Sequence, residues 1–341
     1  MENINTKIII IESENIDLNQ LREAGQAIRE GKLVAFPTET VYGLGADALN
    51  ENAVLKIFKA KGRPFNDPLI VHISCLEEAE DLVEELPAVA RELAQLFWPG
   101  PLTMVMKKTK IIPELVTSGL DTVAIRVPNH PVALGLIRES KRPIVAPSAN
   151  LFTHISPTSA RHVMDDLIGK VDMIIDSGQT TIGVESTVVD VTALPLTVLR
   201  LGGIAVEKLQ QVTKTIIVSN NHEKTNKSPG MLKKHYAPRA KLILVEEKNA
   251  DMIKIILNLA STYRIAGKKV GIIASRENSE KYSDFLVKNL GEAKDLDKCA
   301  RNLYAQLRLL DELKCDIILS ENFANIGLGR AIMDRLHRAS S

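Results

Sequence analysis

Short apolar runs and longer stretches of helical periodicity trade places along the first two hundred residues. "TKIIII" predicts a strand, and "DLNQLREAGQAIREGK" an amphipathic helix with Asp17 as N-cap and Gly31 as stop. "KLVAFPTETV" predicts a strand running into a polar turn, "ENAVLKIFKAKG" a second helix, and "PLIVHI" another strand. Residues 76–97 carry helical periodicity broken at Pro87. "PLTMVMKK", "TVAIRVP", "PIVAPSAN", "VDMIIDSG", "STVVDVT" and "LTVLRLG" are apolar runs bounded by Gly, Pro or Asp, and so strands. "HPVALGLIRES" and "SPTSARHVMDDLIG" predict helices between them. Strands and helices mixed without strict alternation predict an α/β layer on a twisted, mixed sheet.

Residues 211–240 change character, because polar, turn-rich "SNNHEKTNKSPG" marks a linker. Beyond it "KLILVEE", a helix near 250–265, "KKVGIIAS" and "CDIILS" alternate regularly. That pattern predicts a small, doubly wound, Rossmann-like α/β domain. The expected organisation is a first domain over 1–210, a linker over 211–240 and a second domain over 241–341. A length of 341 residues suits two domains or one large one.

Charge sharpens this division. Residues 1–210 carry 20 Lys and Arg against 27 Asp and Glu, whereas 211–341 carry 23 against 15. The acidic front half argues against broad nucleic-acid binding there, which needs a basic surface. The stretch 211–240 holds six basic residues and one acidic one, a composition suited to folding over an anionic ligand. Cys75, Cys299 and Cys315 stand far apart, in neither a disulfide nor a zinc pattern. A signal-peptide pattern and a bilayer-length apolar run are both absent, so the expected setting is soluble, reducing and cytoplasmic, with no membrane partner.

Candidate chemistry begins at "KAKGRPFNDPLIVHI", where Lys59, Lys61 and Arg63 cluster at a helix end. Cations there complement the helix dipole, by about 0.3–1 kcal/mol each. Similar groups recur elsewhere. Arg126 in "DTVAIRVP" and Arg200 in "LTVLRLGG" stand in apolar strands, where an arginine needs an anion, from a ligand or from an internal carboxylate. Ser148 and Asn150 end a buried strand on one face, as ligand groups or turn formers. Ser156 precedes a helix start, where it would cap the helix or help hold an anion. Cations, hydroxyls and a helix start at strand ends suit phosphoryl or nucleotidyl transfer, because fixed donors stabilise charge building on phosphate oxygens. A P-loop motif, a metal motif and a serine-hydrolase elbow are absent. "GLGADA" from Gly43 matches a dinucleotide fingerprint only in letters, since no helix opens inside it. It predicts a glycine-rich turn.

"FPTETVYGLGADA", "KAKGRP", "DPLIVHI", "WPGPLT", "DTVAIRVP", "APSANL", "GVESTVVDV" and "LRLGG" together resemble the YrdC-like family. "SPGMLKKHYAPRAKLILVE" and the second domain resemble its longer, two-domain threonylcarbamoyl-AMP synthases, and the likeness runs from about residue 8 to the C-terminus. The resemblance implies a concave cavity in the first domain. It also implies a reaction in which L-threonine, bicarbonate and ATP, with Mg²⁺ carried in by ATP, give threonylcarbamoyl-adenylate and pyrophosphate. The product would serve a downstream tRNA threonylcarbamoyl transferase acting at position 37, and a direct tRNA contact stays open. By similarity Lys61 and Arg63 are catalytic and, with Ser148 and Asn150, hold the triphosphate and adenylate. Thr122, Ser156, Arg200 and the linker's Tyr236 are further nucleotide contacts. Thr38, His72, Arg126 and Ser186 face threonine or its carbamate. Two other readings remain at this point, an RNA-binding protein without catalysis and a carbamoyl-adenylating enzyme with another acceptor.

Overall fold

The computed structural model describes residues 4–213, 215–219 and 236–341. It divides into two compact units. The first holds the described residues of 4–152, 156–181 and 185–219. The second takes Thr153–Ile155 and Ile182–Val184 together with residues 236–341.

In the first unit the elements run β1 (Lys7–Ile10), α1 (Leu18–Arg29), β2 (Val34–Phe36), β3 (Gly43–Asp47), α2 (Glu51–Lys61), β4 (Ile70–His72), α3 (Ala88–Phe97), β5 (Leu102–Lys107), α4 (Glu114–Thr117), β6 (Thr122–Arg126), α5 (Pro131–Ser140), β7 (Ile144–Val145), α6 (Ala160–Leu167), β8 (Met173–Asp176), β9 (Thr187–Asp190), β10 (Leu196–Arg200), α7 (Val206–Val212) and β11 (Ile216–Val218). Their strands form one mixed sheet in the order β1-β8-β2-β3-β7-β4-β6-β5-β9-β10-β11. Local chemistry sets the ends of the helices. The Asp17 carboxylate accepts the Asn19 N–H at 2.8 Å to open α1. Asn50 caps α2, and Gly62, at φ +65°, closes it in the left-handed region.

The glycines of "GLGADA" do not form the expected turn. They lie in β3, a fully buried strand antiparallel to β2 and β7. A Cβ at Gly45 would sit 2.8 Å from the Phe36 ring and 3.0 Å from Ile144, so the strand keeps glycine to let its neighbours close in.

The central strands are buried on both faces. Val71, Met104, Met106, Val123, Ile125 and Val189 turn into the main core. Ile70, Val105, Ala124 and Val188 form a separate small cluster with Leu199. Registers pair Ile70 with Ala124, Ala124 with Val105, and His72 with Arg126. Side chains alternate along a strand, so His72, Thr103, Thr122 and Arg126 share this second face. An apolar core thus backs one side of the sheet, and the other carries polar side chains around a small apolar patch.

The second unit contains β12 (Lys241–Val245), α8 (Asn249–Ile265), β13 (Val270–Ala274), β14 (Leu286–Asn289), α9 (Leu296–Glu312), β15 (Ile317–Glu321) and α10 (Gly329–Ser340). Its all-parallel sheet runs β12-β15-β13-β14. Two short segments from earlier in the chain are bonded into it. The Ala237 N–H donates to Thr153 O at 3.0 Å, and the Arg308 guanidinium donates to Ile155 O. Gly183, at φ +83°, lies so near Arg301 that a Cβ would meet its Cα at 2.4 Å. The stretch read as linker begins inside the first unit, where β11 pairs in parallel with β10. Residues 220–235, which hold most of that stretch, lie outside the described residues.

Candidate active site

Helix α2 delivers Lys61 to the interior, where the side chain is 2% exposed. Its ammonium donates to Asn150 O at 2.6 Å and to Ser148 O. The Phe152 N–H returns a bond to Lys61 O at 2.9 Å. The Lys-x-Arg and Ser-x-Asn motifs, nearly ninety positions apart, are therefore held together by one buried lysine. Burial, and then the charge of Arg63, push the Lys61 pKa well below that of a free lysine, against the pull of Asp67 and Asp166. Arg63 is also buried. It forms an ion pair with Asp67 at 2.9 Å and donates to Asp67 O at 3.1 Å and Pro68 O at 2.9 Å. Its guanidinium is thereby fixed in place and shares its charge with an acid the sequence reading had not paired with it.

Arg200 ends β10 and reaches Ser186, donating to its carbonyl at 3.1 Å and its hydroxyl at 3.0 Å. The Ser186 hydroxyl also meets Thr103 at 2.7 Å. Ser186 and Arg200 therefore act as one unit. Ser156 is fully buried, and its hydroxyl donates to Glu185 at 2.5 Å. It does not open α6, because the N-cap is Ser159, whose side chain accepts the His162 N–H. Thr122 is buried at the start of β6. Tyr236 is buried within the second unit, at φ +61°, with its ring 5.8 Å from that of Tyr304 and 4.8 Å from the Arg335 guanidinium carbon.

Thr38, His72 and Arg126 gather around the end of β2. The Thr38 hydroxyl donates to Val41 O at 2.6 Å and accepts from the N–H groups of Thr40 and Val41, which builds the turn after Pro37. Between Thr38 and Thr40 stands Glu39, which the sequence reading left unassigned. Its carboxylate lies 2.7 Å from the Arg126 guanidinium, and both side chains are 5% exposed. Glu39 was legible in principle, as an acid between two threonines directly after an apolar strand. His72 packs edge-on to Phe36, at 6.3 Å between ring centroids.

Burial first, and then the Arg126 charge, push the His72 pKa down to about 3. Between pH 6.5 and about 3 the unfolded chain holds the extra proton, so stability falls as pH drops through that window, by about 1.4 kcal/mol per unit. Urea titrations of His72→Gln and the unmodified chain at pH 7 and pH 5 check this. The unmodified chain should lose about 2 kcal/mol more than the variant, and equal losses would refute the burial account.

Residues 26–202 match the Sua5/YciO/YrdC profile, which carries the description "telomere recombination". Residues 204–341 match the profile of the threonylcarbamoyl-AMP synthase C-terminal domain. The chain belongs to the Sua5/YciO/YrdC family. A threonylcarbamoyl-AMP synthase of Pyrococcus abyssi is 49% identical over 98% of this chain and 97% of its own length. One from Bacillus subtilis is 46% identical over 94% and 93%. A crystal structure of P. abyssi Sua5 complexed with L-threonine is 48% identical and covers 98% of each chain at a TM-score of 0.93. The expected family and fold class are borne out, with a large mixed sheet followed by a parallel C-terminal one, as in this Sua5 structure. Among the described residues, no helix of this Sua5/YciO/YrdC member is long and apolar enough to cross a membrane.

Proposed function

We infer that the chain is an L-threonylcarbamoyladenylate synthase, making threonylcarbamoyl-AMP and pyrophosphate from L-threonine, bicarbonate and ATP. The observation that carries this is end-to-end identity near one half with the P. abyssi synthase. The junction of Lys61 with Ser148 and Asn150 supports it from the geometry. The product supplies threonylcarbamoyl groups for a tRNA threonylcarbamoyl transferase acting at position 37, in the cytoplasm.

In this reading ATP enters as its Mg²⁺ complex. Lys61 and Arg63 face the triphosphate, beside Ser148 and Asn150. Thr122, Ser156, the Arg200–Ser186 pair and Tyr236 complete the nucleotide and carbamate contacts. Thr38, His72 and Arg126 line the threonine subsite, with the Arg126 fork suited to a carboxylate. The threonine carbamate is the nucleophile, attacking the α-phosphorus in line, so no covalent enzyme intermediate forms. Lys61 is held rigid in a buried place, where a cation stabilises developing phosphate charge without reorganising.

Pyrophosphate release with each substrate omitted in turn tests this. Release should require ATP, L-threonine and bicarbonate together. Release without threonine, or with another amino acid in its place, would favour a related carbamoyl-adenylating activity.

A further inference from the structure

We propose that Glu39 seats the α-ammonium of the amino-acid substrate and takes up the proton released when its carbamate forms. The proposal rests on the synthase reading above and adds a residue to it. Glu39 is 4% exposed. Among the described residues, neither of its carboxylate oxygens accepts a hydrogen bond, although the Arg126 guanidinium stands 2.7 Å from one of them. The Arg126 nitrogen in that contact also makes no hydrogen bond among the described residues. The two charges meet as a close ion pair without a well-aligned hydrogen bond between them. Buried carboxylates are ordinarily saturated with donors, so this pair keeps hydrogen-bonding capacity for a polar guest.

The chemistry of the guest follows from the pair. An α-amino acid carries a carboxylate and an ammonium on neighbouring atoms. Arg126 offers donors to the first, and Glu39 offers empty acceptor sites to the second. The surroundings agree. His130, at the N-terminal cap position of α5, lies within the electrostatic reach of Glu39, and its buried Nδ1 has no hydrogen-bond partner among the described residues. His72, beside Arg126 in register, likewise has an Nδ1 without a partner among the described residues. Burial lowers the pKa of both rings, so both are neutral near pH 7 and neither competes with the ammonium for Glu39. Among the described residues, the charged and titratable groups near Glu39 include Arg126 from β6, His130 from α5 and, behind Arg126, His72 from β4.

The step balances. Threonine's ammonium and bicarbonate give a carbamate, one water and one proton. The nitrogen lone pair forms the N–C bond, and the bicarbonate hydroxyl leaves as water with one ammonium proton. The remaining proton goes to the Glu39 carboxylate. The carbamate oxygen is then free to attack phosphorus, and Glu39 returns its proton to solvent after the product departs.

Glu39→Gln in the full-length chain tests the assignment. Near pH 7 its kcat/KM for L-threonine should fall about 100-fold, with the KM for ATP changed less than about threefold. Raising the pH supplies free-base threonine, so the deficit should shrink about tenfold per unit and nearly vanish by about pH 9. A deficit that stays constant with pH would reduce Glu39 to a counter-ion for Arg126 and overturn the proposal. A second measurement needs no variant. Calorimetry on the unmodified chain compares L-threonine with 2,3-dihydroxybutyrate, which has a hydroxyl in place of the amine. Affinity for the latter should be at least about 50-fold weaker, and equal affinity would overturn the ammonium seat. Absence of threonine-dependent pyrophosphate release from the unmodified chain would instead count against the synthase reading, while the binding comparison still decides the role of Glu39.

Discussion

Lys61→Met should lower pyrophosphate release about 1,000-fold while changing L-threonine affinity by less than about threefold. Methionine keeps the length of lysine's apolar stem as far as Cε, so most of the pocket stays filled. The ammonium is lost, and with it the bonds to Ser148 O and Asn150 O in a site that is 2% exposed. Each buried carbonyl left without a donor costs about 1–3 kcal/mol. The 148–150 turn therefore loosens as the cation disappears, and both effects act on the phosphate subsite. Steady-state release assays and threonine calorimetry on the same preparation separate the outcomes. A variant that kept turnover and lost threonine affinity would move Lys61 to the other subsite.

Gly202→Ala should lower stability by about 1–3 kcal/mol and activity by about 100-fold or more, although one methyl group is added. A Cβ at Gly202 would stand 2.3 Å from Glu185 O, 2.4 Å from Ser186 C and 2.5 Å from Ser186 O. These are main-chain atoms, so no side chain can swing aside. The two segments are clasped on either side of the clash. The Gly203 N–H donates to Glu185 O at 2.9 Å, and the Thr187 hydroxyl both donates to Ile204 O and accepts from the Ile204 N–H. Prising the clasp apart moves Ser186 off Arg200 and Glu185 off Ser156. Thermal melts with release assays check this, and a variant with unchanged melting and rate would show that the clasp is slack.

Strand positions were largely legible because apolar runs between Gly, Pro and Asp punctuate the first half of the chain. The cap at Asp17 and the stop at Gly31 were legible for the same local reasons. Strand β3 was not, because its two glycines read as a turn unless the crowding by Phe36 and Ile144 is known. Ser156 reads from the sequence as a residue before a helix start, a cap or an anion ligand, whereas the cap is Ser159, three residues later. The motifs KAKGRP and PSAN were legible as candidate groups, and the structure brings Lys61 onto the carbonyls of Ser148 and Asn150. Periodicity does not say that Lys61 ties them together, nor that Asp67 and Glu39 partner the arginines. The Lys61 and Glu39–Arg126 pairings are set by long-range register, which a single sequence does not encode locally, whereas Asp67 stands only four residues after Arg63.

The passage of Thr153–Ile155 and Ile182–Val184 into the second unit has a consequence for biosynthesis. The bonding partners of the first segment, Ala237 and Arg308, leave the ribosome more than eighty residues after it. A nascent chain that has already paired its early strands must hold these six residues open until the last third arrives. A protein split after residue 219 would deprive them of those partners permanently.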